Sequence, residues 1–204
     1  MKFSELLIAT RNKKKLGEIK ELLKGLNLKI TSLDDYRNLP RIEEDGKTFE
    51  QNAIKKAVTI AFYTKKLTLG EDSGLEVAAL KNKPGVYSSR FSGPKATDKK
   101  NNLKLLRLLR DAPLKKRRAR YRSCVVLADG KKIIYVGSGS CSGLIGFRSR
   151  GNFGFGYDPL FIIPKYNKTF GQLGSKIKDS MSHRSRALKK ILPVISRYLR
   201  TKTL

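Results

Sequence analysis

Asp72, in the run Gly70-Glu71-Asp72-Ser73-Gly74-Leu75, stands where an apolar stretch breaks off, with a glycine just behind a pair of acids. A carboxylate at the end of a strand faces the ligand crevice in open α/β sheets, and Glu43-Glu44-Asp45-Gly46 adds further acids upstream. Hard oxygen ligands of this kind suit Mg²⁺, which commonly takes one or two protein carboxylates and completes its shell with water and substrate phosphates. The same composition also fits a solvated acidic turn. A second cluster, Thr10-Arg11-Asn12-Lys13-Lys14-Lys15, crosses from an apolar run into a helical pattern. Exposed N–H groups at a helix N-terminus favour phosphate. Thr10 and Asn12 can hydrogen-bond a ligand, and Lys15 offers a point charge to a phosphate oxygen. No Walker-type glycine pattern accompanies them, so an ordinary capped surface helix is the competing reading.

Two later segments carry chemistry of another kind. Phe153-Gly154-Phe155-Gly156-Tyr157-Asp158-Pro159 interleaves aromatics with glycines, which lets backbone approach a planar ring and an aromatic face stack on it. A tight turn filled by core aromatics would look the same. Ser182-His183-Arg184 holds the only histidine of the chain, which is either a surface residue or a specific hydrogen-bonding group beside a cation.

Strands and helices alternate along the chain. Strand patterns at Glu5–Thr10 and Leu28–Leu33 enclose a helical one at Lys14–Leu26. A second helix runs from Thr48 to Lys65, where Thr48 and Gln51 have capping-box spacing. A Gly/Pro/Ser-rich loop spans Lys81–Pro94, a helix is expected at Asp98–Arg110, and Pro113–Arg118 reads as a charged linker. Three β-like runs follow, "YRSCVVLA", "KIIYVGS" and "CSGLIGF", the first two separated by the turn signal Asp129-Gly130. A short strand "LFIIP" precedes a final helix from about Ser182, which Pro193 should bend or shorten. The class is α/β with antiparallel pairing mixed into the sheet.

With 204 residues and no convincing internal boundary, one domain over 1–204 is expected, 197–204 forming a basic tail. Lysine and arginine total 45 against 17 acids, a formal charge of +28, but the cations are scattered and not gathered in one arm. That fits a solvated surface of compositional origin and leaves open a basic nucleic-acid-binding module as the alternative function. Cys124 and Cys141 are too few for a disulfide framework or a metal cluster, which points to a reducing, cytoplasmic setting. No apolar stretch approaches the ~20 residues that cross a bilayer.

Six ordered segments, "TRNKKKLGE", "EEDGKTFEQNAIKKA", "EDSGLEV", "PGVYSSRFSG", "GFGYDPLF" and "SHRSRAL", spanning Thr10 to Leu188, closely resemble the motifs of the inosine triphosphate pyrophosphatase family. The resemblance implies an elongated α/β fold whose long mixed sheet forms two helix-flanked lobes with a central cleft, and a homodimer. It implies Mg²⁺-dependent hydrolysis of ITP, dITP and XTP to the monophosphate and pyrophosphate, which keeps these bases out of DNA and RNA. No membrane or nucleic acid is required. Asp72 is implied as general base and, with Glu43, as metal ligand, with Lys56 holding Asp72 ionised. Thr10, Arg11, Asn12, Lys13, Lys14, Lys15, Lys56, Ser73 and Lys178 are implied as triphosphate contacts. Phe155, Gly156, Tyr157, Asp158, His183 and Arg184 are implied as the base pocket, the last two donating to the 6-keto oxygen. The chain departs from the pattern at Gln51 and Glu71, where Glu and Asp are usual, and in the segment before Lys178, where Lys176 competes for the same role.

Overall fold

The computed structural model describes residues 5–202, so the last two residues of the expected basic tail lie outside the described residues and 197–202 continue the final helix. Among the described residues seven strands, β1 (Glu5–Ile8), β2 (Lys29–Ser32), β3 (Thr68–Val77), β4 (Arg118–Asp129), β5 (Lys132–Ile145), β6 (Phe161–Ile163) and β7 (Lys168–Thr169), form one sheet in the order β2-β1-β3-β4-β5-β6-β7. β1 runs parallel to β2 and β3, whereas β6 is antiparallel to β5 and β7, so the sheet is mixed as expected. The helices are α1 (Lys13–Leu22), α2 (Phe49–Thr64), α3 (Asp98–Leu108), α4 (Phe170–Met181) and α5 (His183–Lys202).

Two compact units share this chain. The first comprises the segment ending at Asp72, Ser123–Gly139 and the segment from Arg184 onward; the second comprises Ser73–Arg122 and Ser140–His183. In the first, Leu6 and Ile8 of β1, Leu69 of β3 and Val125 and Leu127 of β4 pack with Ile19 and Leu23 beside α5's Leu188, Ile191 and Ile195. A second cluster joins Leu7 and Ala9 to Ile60 of α2. β1 is therefore buried on both faces, which is why "LLI" reads as a continuous apolar run and not an alternating one. The second unit packs Leu75, Val77, Leu105, Tyr121, Ile145, Tyr157, Phe161 and Phe170 together.

The structure differs from the sequence reading at three points. The runs "KIIYVGS" and "CSGLIGF" are one strand, β5: Gly137, Gly139, Cys141, Gly143 and Ile145 are all buried, so the period-two alternation passes unbroken through the glycines. α5 is not shortened at Pro193. Ile191 and Ile195 on either side are fully buried, and burial worth about 1.5–3 kcal/mol per side chain offsets the roughly 3 kcal/mol that an interior proline costs. α4 has no counterpart in the sequence pattern because Gly171 and Gly174 interrupt its period. Thr169 and Gln172 form a capping box at its start, and Gly174 adopts a positive φ of 78° within it.

The charged linker also conceals a structural residue. Arg117 is only 2% exposed; its guanidinium donates to the carbonyls of Ala112 (2.8 Å), Gly146 (2.9 Å) and Leu109 (2.6 Å) and lies 4.1 Å from the Phe147 ring centroid. Three loop carbonyls of the second unit are thereby satisfied by one side chain. Lys115, Lys116 and Arg118 are exposed. Arg117→Ala is expected to lower unfolding free energy by about 2–4 kcal/mol, because it orphans those carbonyls. Arg118→Ala should change it by less than about 0.5 kcal/mol. Urea denaturation of the two variants side by side checks the contrast.

Candidate active site

In the first unit a cluster of buried ions forms where α1, α2, β3 and α5 meet. Its construction begins with Gly70. A Cβ there would collide with the Ala53 carbonyl and approach the Ala57 amide to 2.8 Å, so only glycine lets β3 lie this close to α2. The two residues that follow, Glu71 and Asp72, are 2% and 3% exposed. Asp72 accepts from Lys56 Nζ at 3.0 Å and from Asn52 Nδ2 at 3.1 Å, both projecting from α2. Asn52 Oδ1 in turn accepts from the Gly46 amide at 2.8 Å, which ties the acidic 43–46 loop to the site. Lys56 also donates to Glu44 at 3.1 Å. Of the acid pair, Glu44 reaches the cluster, whereas Glu43 is exposed.

Glu71 points to the other side of β3. It accepts from Lys15 Nζ (2.9 Å), Ser123 Oγ (2.9 Å) and Arg184 (3.2 Å), and Arg184 donates to Glu18 as well. Arg184 is thus bound to carboxylates of the first unit. At the start of α1, Asn12 Oδ1 accepts from the amides of Lys14 (3.0 Å) and Lys15 (3.1 Å), and Thr10 Oγ1 accepts from the Asn12 amide (3.2 Å). Thr10 and Asn12 therefore shape the turn and cap that present Lys15. Arg11 pairs with Asp34 on the surface, and Lys13 and Lys14 are exposed.

The electrostatics differ between the two neighbouring acids. Burial alone would raise Glu71, but Arg184, Lys15 and Lys56 hold its carboxyl well below the ordinary value. For Asp72 burial wins: its carboxyl is raised despite Lys56 and Lys15, with Glu44 and Glu71 adding to the rise. The expected effect of Lys56 on Asp72 is thus present in sign but outweighed. Lys56 keeps its proton, since Asp72, Glu44 and Glu71 overcome the burial that would lower it. The side chains joined by these bonds comprise four carboxylates (Glu18, Glu44, Glu71, Asp72) and three cations (Lys15, Lys56, Arg184).

The second unit holds the aromatic set. Asp158 accepts from Lys178 Nζ (2.6 Å), the Phe155 amide (2.8 Å) and Tyr121 OH (3.3 Å), which folds the 153–158 loop over its own carboxylate. Gly156 is held from both sides: its amide donates to Asp98 (2.8 Å) and its carbonyl accepts from Asn102 (3.0 Å). Tyr157 OH donates to the Ser88 carbonyl at 2.8 Å. Lys178 Nζ lies 4.6 Å from the Phe155 ring centroid and is buried, whereas Lys176 is exposed. His183 is 4% exposed, not on the surface, and stacks on Tyr121 with centroids 4.6 Å apart. Ser73 follows Asp72 on β3 and is half-buried.

Lys15, Lys56 and Asp72 are thus gathered in one cluster, and Phe155–Asp158, Lys178 and His183 in another. Glu44, Asn52 and Glu18 lie inside the quoted motifs and were findable there. Ser123 and Tyr121 carry no signal beyond strand alternation.

A mixed-sheet α/β enzyme with buried acid–lysine chemistry is the class that these observations define. Residues 6–194 match the sequence profile of the Ham1 family, and the chain belongs to that family. It is 46% identical to a dITP/XTP pyrophosphatase of Desulforamulus reducens, covering 95% of this chain and 96% of that one, and 46% identical to the same-named protein of Geobacter sulfurreducens, covering 91% and 93%. Among solved structures, a HAM1 protein from Coxiella burnetii superposes with a TM-score of 0.86 at 36% identity over 95% of this chain and 99% of that one. The Ham1 protein of Staphylococcus aureus gives 0.85 at 33% identity over 96% and 100%. The family lends no support to the nucleic-acid-binding alternative. Among the described residues no helix is long and apolar enough to cross a membrane.

The raised Asp72 carboxyl has a consequence for stability. The folded chain holds that proton more tightly than the unfolded chain, so Asp72 disfavours folding progressively as pH rises from the ordinary carboxylate range through its raised value. At neutral pH its ionised form is a cost, which Asp72→Asn removes. Asp72→Asn is expected to unfold at a urea midpoint equal to or above that of the wild type at pH 7. The gain should shrink as pH falls below the raised value; a lower midpoint at pH 7 would contradict the sign.

Proposed function

We propose that the chain is a nucleoside triphosphate pyrophosphatase that hydrolyses ITP, dITP and XTP to the monophosphate and pyrophosphate and so cleanses the nucleotide pool. The observation that carries this reading is Asp72, a buried carboxyl with raised proton affinity, hydrogen-bonded to Lys56 and Asn52 at the end of β3. A general base works best when its proton affinity approaches the operating pH. Asp72 accepts the proton of a water whose oxygen bonds to the α-phosphorus as the α–β anhydride breaks and pyrophosphate leaves. Lys56 and Lys15 spread the charge of the phosphoryl oxygens. The relatives' name, dITP/XTP pyrophosphatase, supports the substrate class.

The donor set fits a small divalent cation, Mg²⁺ in this reading. Among the described residues no three His, Cys, Asp or Glu side chains gather as a metal cage, but Mg²⁺ needs only one or two carboxylates when phosphates and water complete its shell. Asp72 and Glu44 meet at one ammonium, two carboxylates whose charge a divalent ion would offset. Glu43 lies beside them in the same loop. When bound, the cation would polarise phosphate oxygens and neutralise developing charge.

Phe155 offers a ring to the purine. His183, ordered by its stack on Tyr121, donates to a 6-keto oxygen that a 6-amino purine lacks. Lys178, seated on Asp158 beneath Phe155, serves as a triphosphate contact. Ser73 contacts phosphate. The working form is a cytoplasmic homodimer and the chain acts as a single Ham1-type domain.

Pyrophosphate release from dITP, XTP and dATP, compared with Mg²⁺ and with a chelator, tests the activity. dITP and XTP should be turned over and dATP far more slowly, with the chelator abolishing all three. Asp72→Asn should cut dITP turnover by about 10²–10⁴-fold. Undiminished turnover would remove Asp72 from the chemistry. His183→Ala should lower the preference for dITP over dATP about tenfold, the value of one buried hydrogen bond. An equal fall for both nucleotides would show that His183 does not read the base.

A further inference from the structure

Phe155 is carried by a loop that its glycines make loose: Gly151, Gly154 and Gly156 all adopt positive φ, at 76°, 78° and 63°. Glycine gives up more conformational freedom on folding than any other residue. A ring between two of them keeps one position only if the peptides around it are pinned. Three backbone groups of Phe155 and Gly156 are pinned in this way. The Phe155 amide donates to Asp158 (2.8 Å), the Gly156 amide donates to Asp98 (2.8 Å), and the Gly156 carbonyl accepts from Asn102 Nδ2 (3.0 Å). Asp98 and Asn102 lie one turn apart on α3, so an acceptor and a donor on the same helix face bracket a single glycine. All of these residues belong to the second unit.

Asn102 is 8% exposed, and among the described residues its buried Oδ1 has no hydrogen-bond partner. An orphaned buried amide oxygen costs stability, and an apolar side chain of similar size would fill the space without that cost. The Gly156 carbonyl can only accept, which turns the Asn102 NH2 toward the loop. The donor to Gly156 is therefore what asparagine supplies at this position and leucine does not.

We propose that Asp98 and Asn102 are positioning residues for purine binding: by holding both backbone groups of Gly156 they keep the Phe155 ring set to receive the face of the base. The inference rests on the nucleotide reading for its assignment of Phe155 to the purine. Stacking serves any purine, so this device sets how tightly the base is held, whereas His183 discriminates at the 6-position. Neither bond to Gly156 involves Asp72, Lys56 or Lys15, so the groups assigned to the phosphoryl step are untouched.

Inosine monophosphate carries the purine and needs no turnover to bind, and inorganic tripolyphosphate carries phosphates without a base. Both are titrated by calorimetry into wild type, Asn102→Leu, Asp98→Ala and Asp98→Asn. Asn102→Leu and Asp98→Ala should each weaken inosine monophosphate about tenfold, the scale of losing much of one base stack, and leave tripolyphosphate within about twofold. Asp98→Asn retains an acceptor for the Gly156 amide and should stay within about threefold of wild type. In turnover, KM for dITP and dATP should rise by one common factor while kcat stays within about twofold. A merely structural role would lower the calorimetric stoichiometry and kcat, leaving affinity and KM unmoved, and that pattern overturns the proposal. Equal weakening of tripolyphosphate and inosine monophosphate also overturns it. If Asn102→Leu fails to fold, Asp98→Ala, at an exposed position, decides by the same readings. A wild type that binds inosine monophosphate with these shifts yet hydrolyses no nucleotide would defeat the hydrolysis reading and leave this inference standing. A wild type that hydrolyses dITP, with KM unchanged in both variants, would do the reverse.

Discussion

Burying an ion in protein costs several kcal/mol unless partners compensate it, and the first unit of this chain buries five ionisable side chains, Glu71, Asp72, Lys56, Lys15 in part, and Arg184, within a few residues of the middle of β3. Much else in that unit follows from the need to pair them. Gly70 removes the side chain that would hold α2 away from the strand. Asn52 supplies a neutral donor to Asp72 while holding the acidic loop through the Gly46 amide. The last helix begins with a cation that reaches both Glu18 and Glu71. An apolar core built from the same strands, Leu69 of β3 and Val125 of β4 included, fixes the backbone from which these groups project.

The pairing is complete on one side of β3 and strained on the other. Glu71 has two cations and a hydroxyl and is stabilised as an anion. Asp72, next in the chain, has one ammonium and one amide, and burial raises its proton affinity. Alternation along a strand sends successive side chains to opposite faces, so adjacent carboxylates experience different surroundings without being separated in sequence. Divergent proton affinities in neighbouring acids are a mark of acid–base chemistry. They distinguish the residue suited to take a proton from the one suited to hold charge in place.

The surface charge belongs to a different problem. A formal charge of +28 spreads over exposed lysines and arginines throughout the chain, and exposed charges act weakly beyond about 8–10 Å in salt. Arg117 shows why composition misleads: it sits within "LKKRRARYR", yet it is buried and consumed by three carbonyls, as structural as any leucine near it.

How much was legible can be judged from particular residues. The α/β class, the mixed sheet and the turn after Asp129 were readable, because hydrophobic period and turn chemistry are local properties written in consecutive residues. α4 was not readable, since two glycines broke its period. The unity of β5 was hidden because its buried glycines look like turns. Partner choice was beyond the sequence altogether. Glu43 and Glu44 are equivalent as letters, as are Lys176 and Lys178, and only backbone direction after a turn or along a helix decides which one is turned inward. Arg184 lies beside His183 in the chain, but its bonds to Glu18 and Glu71 span 166 and 113 residues. The sequence by itself determined which chemical groups the chain possesses and the local elements that carry them. Tertiary structure alone decided which carboxylate meets which cation, because that depends on distances between segments far apart in the chain and on how much water is excluded around them.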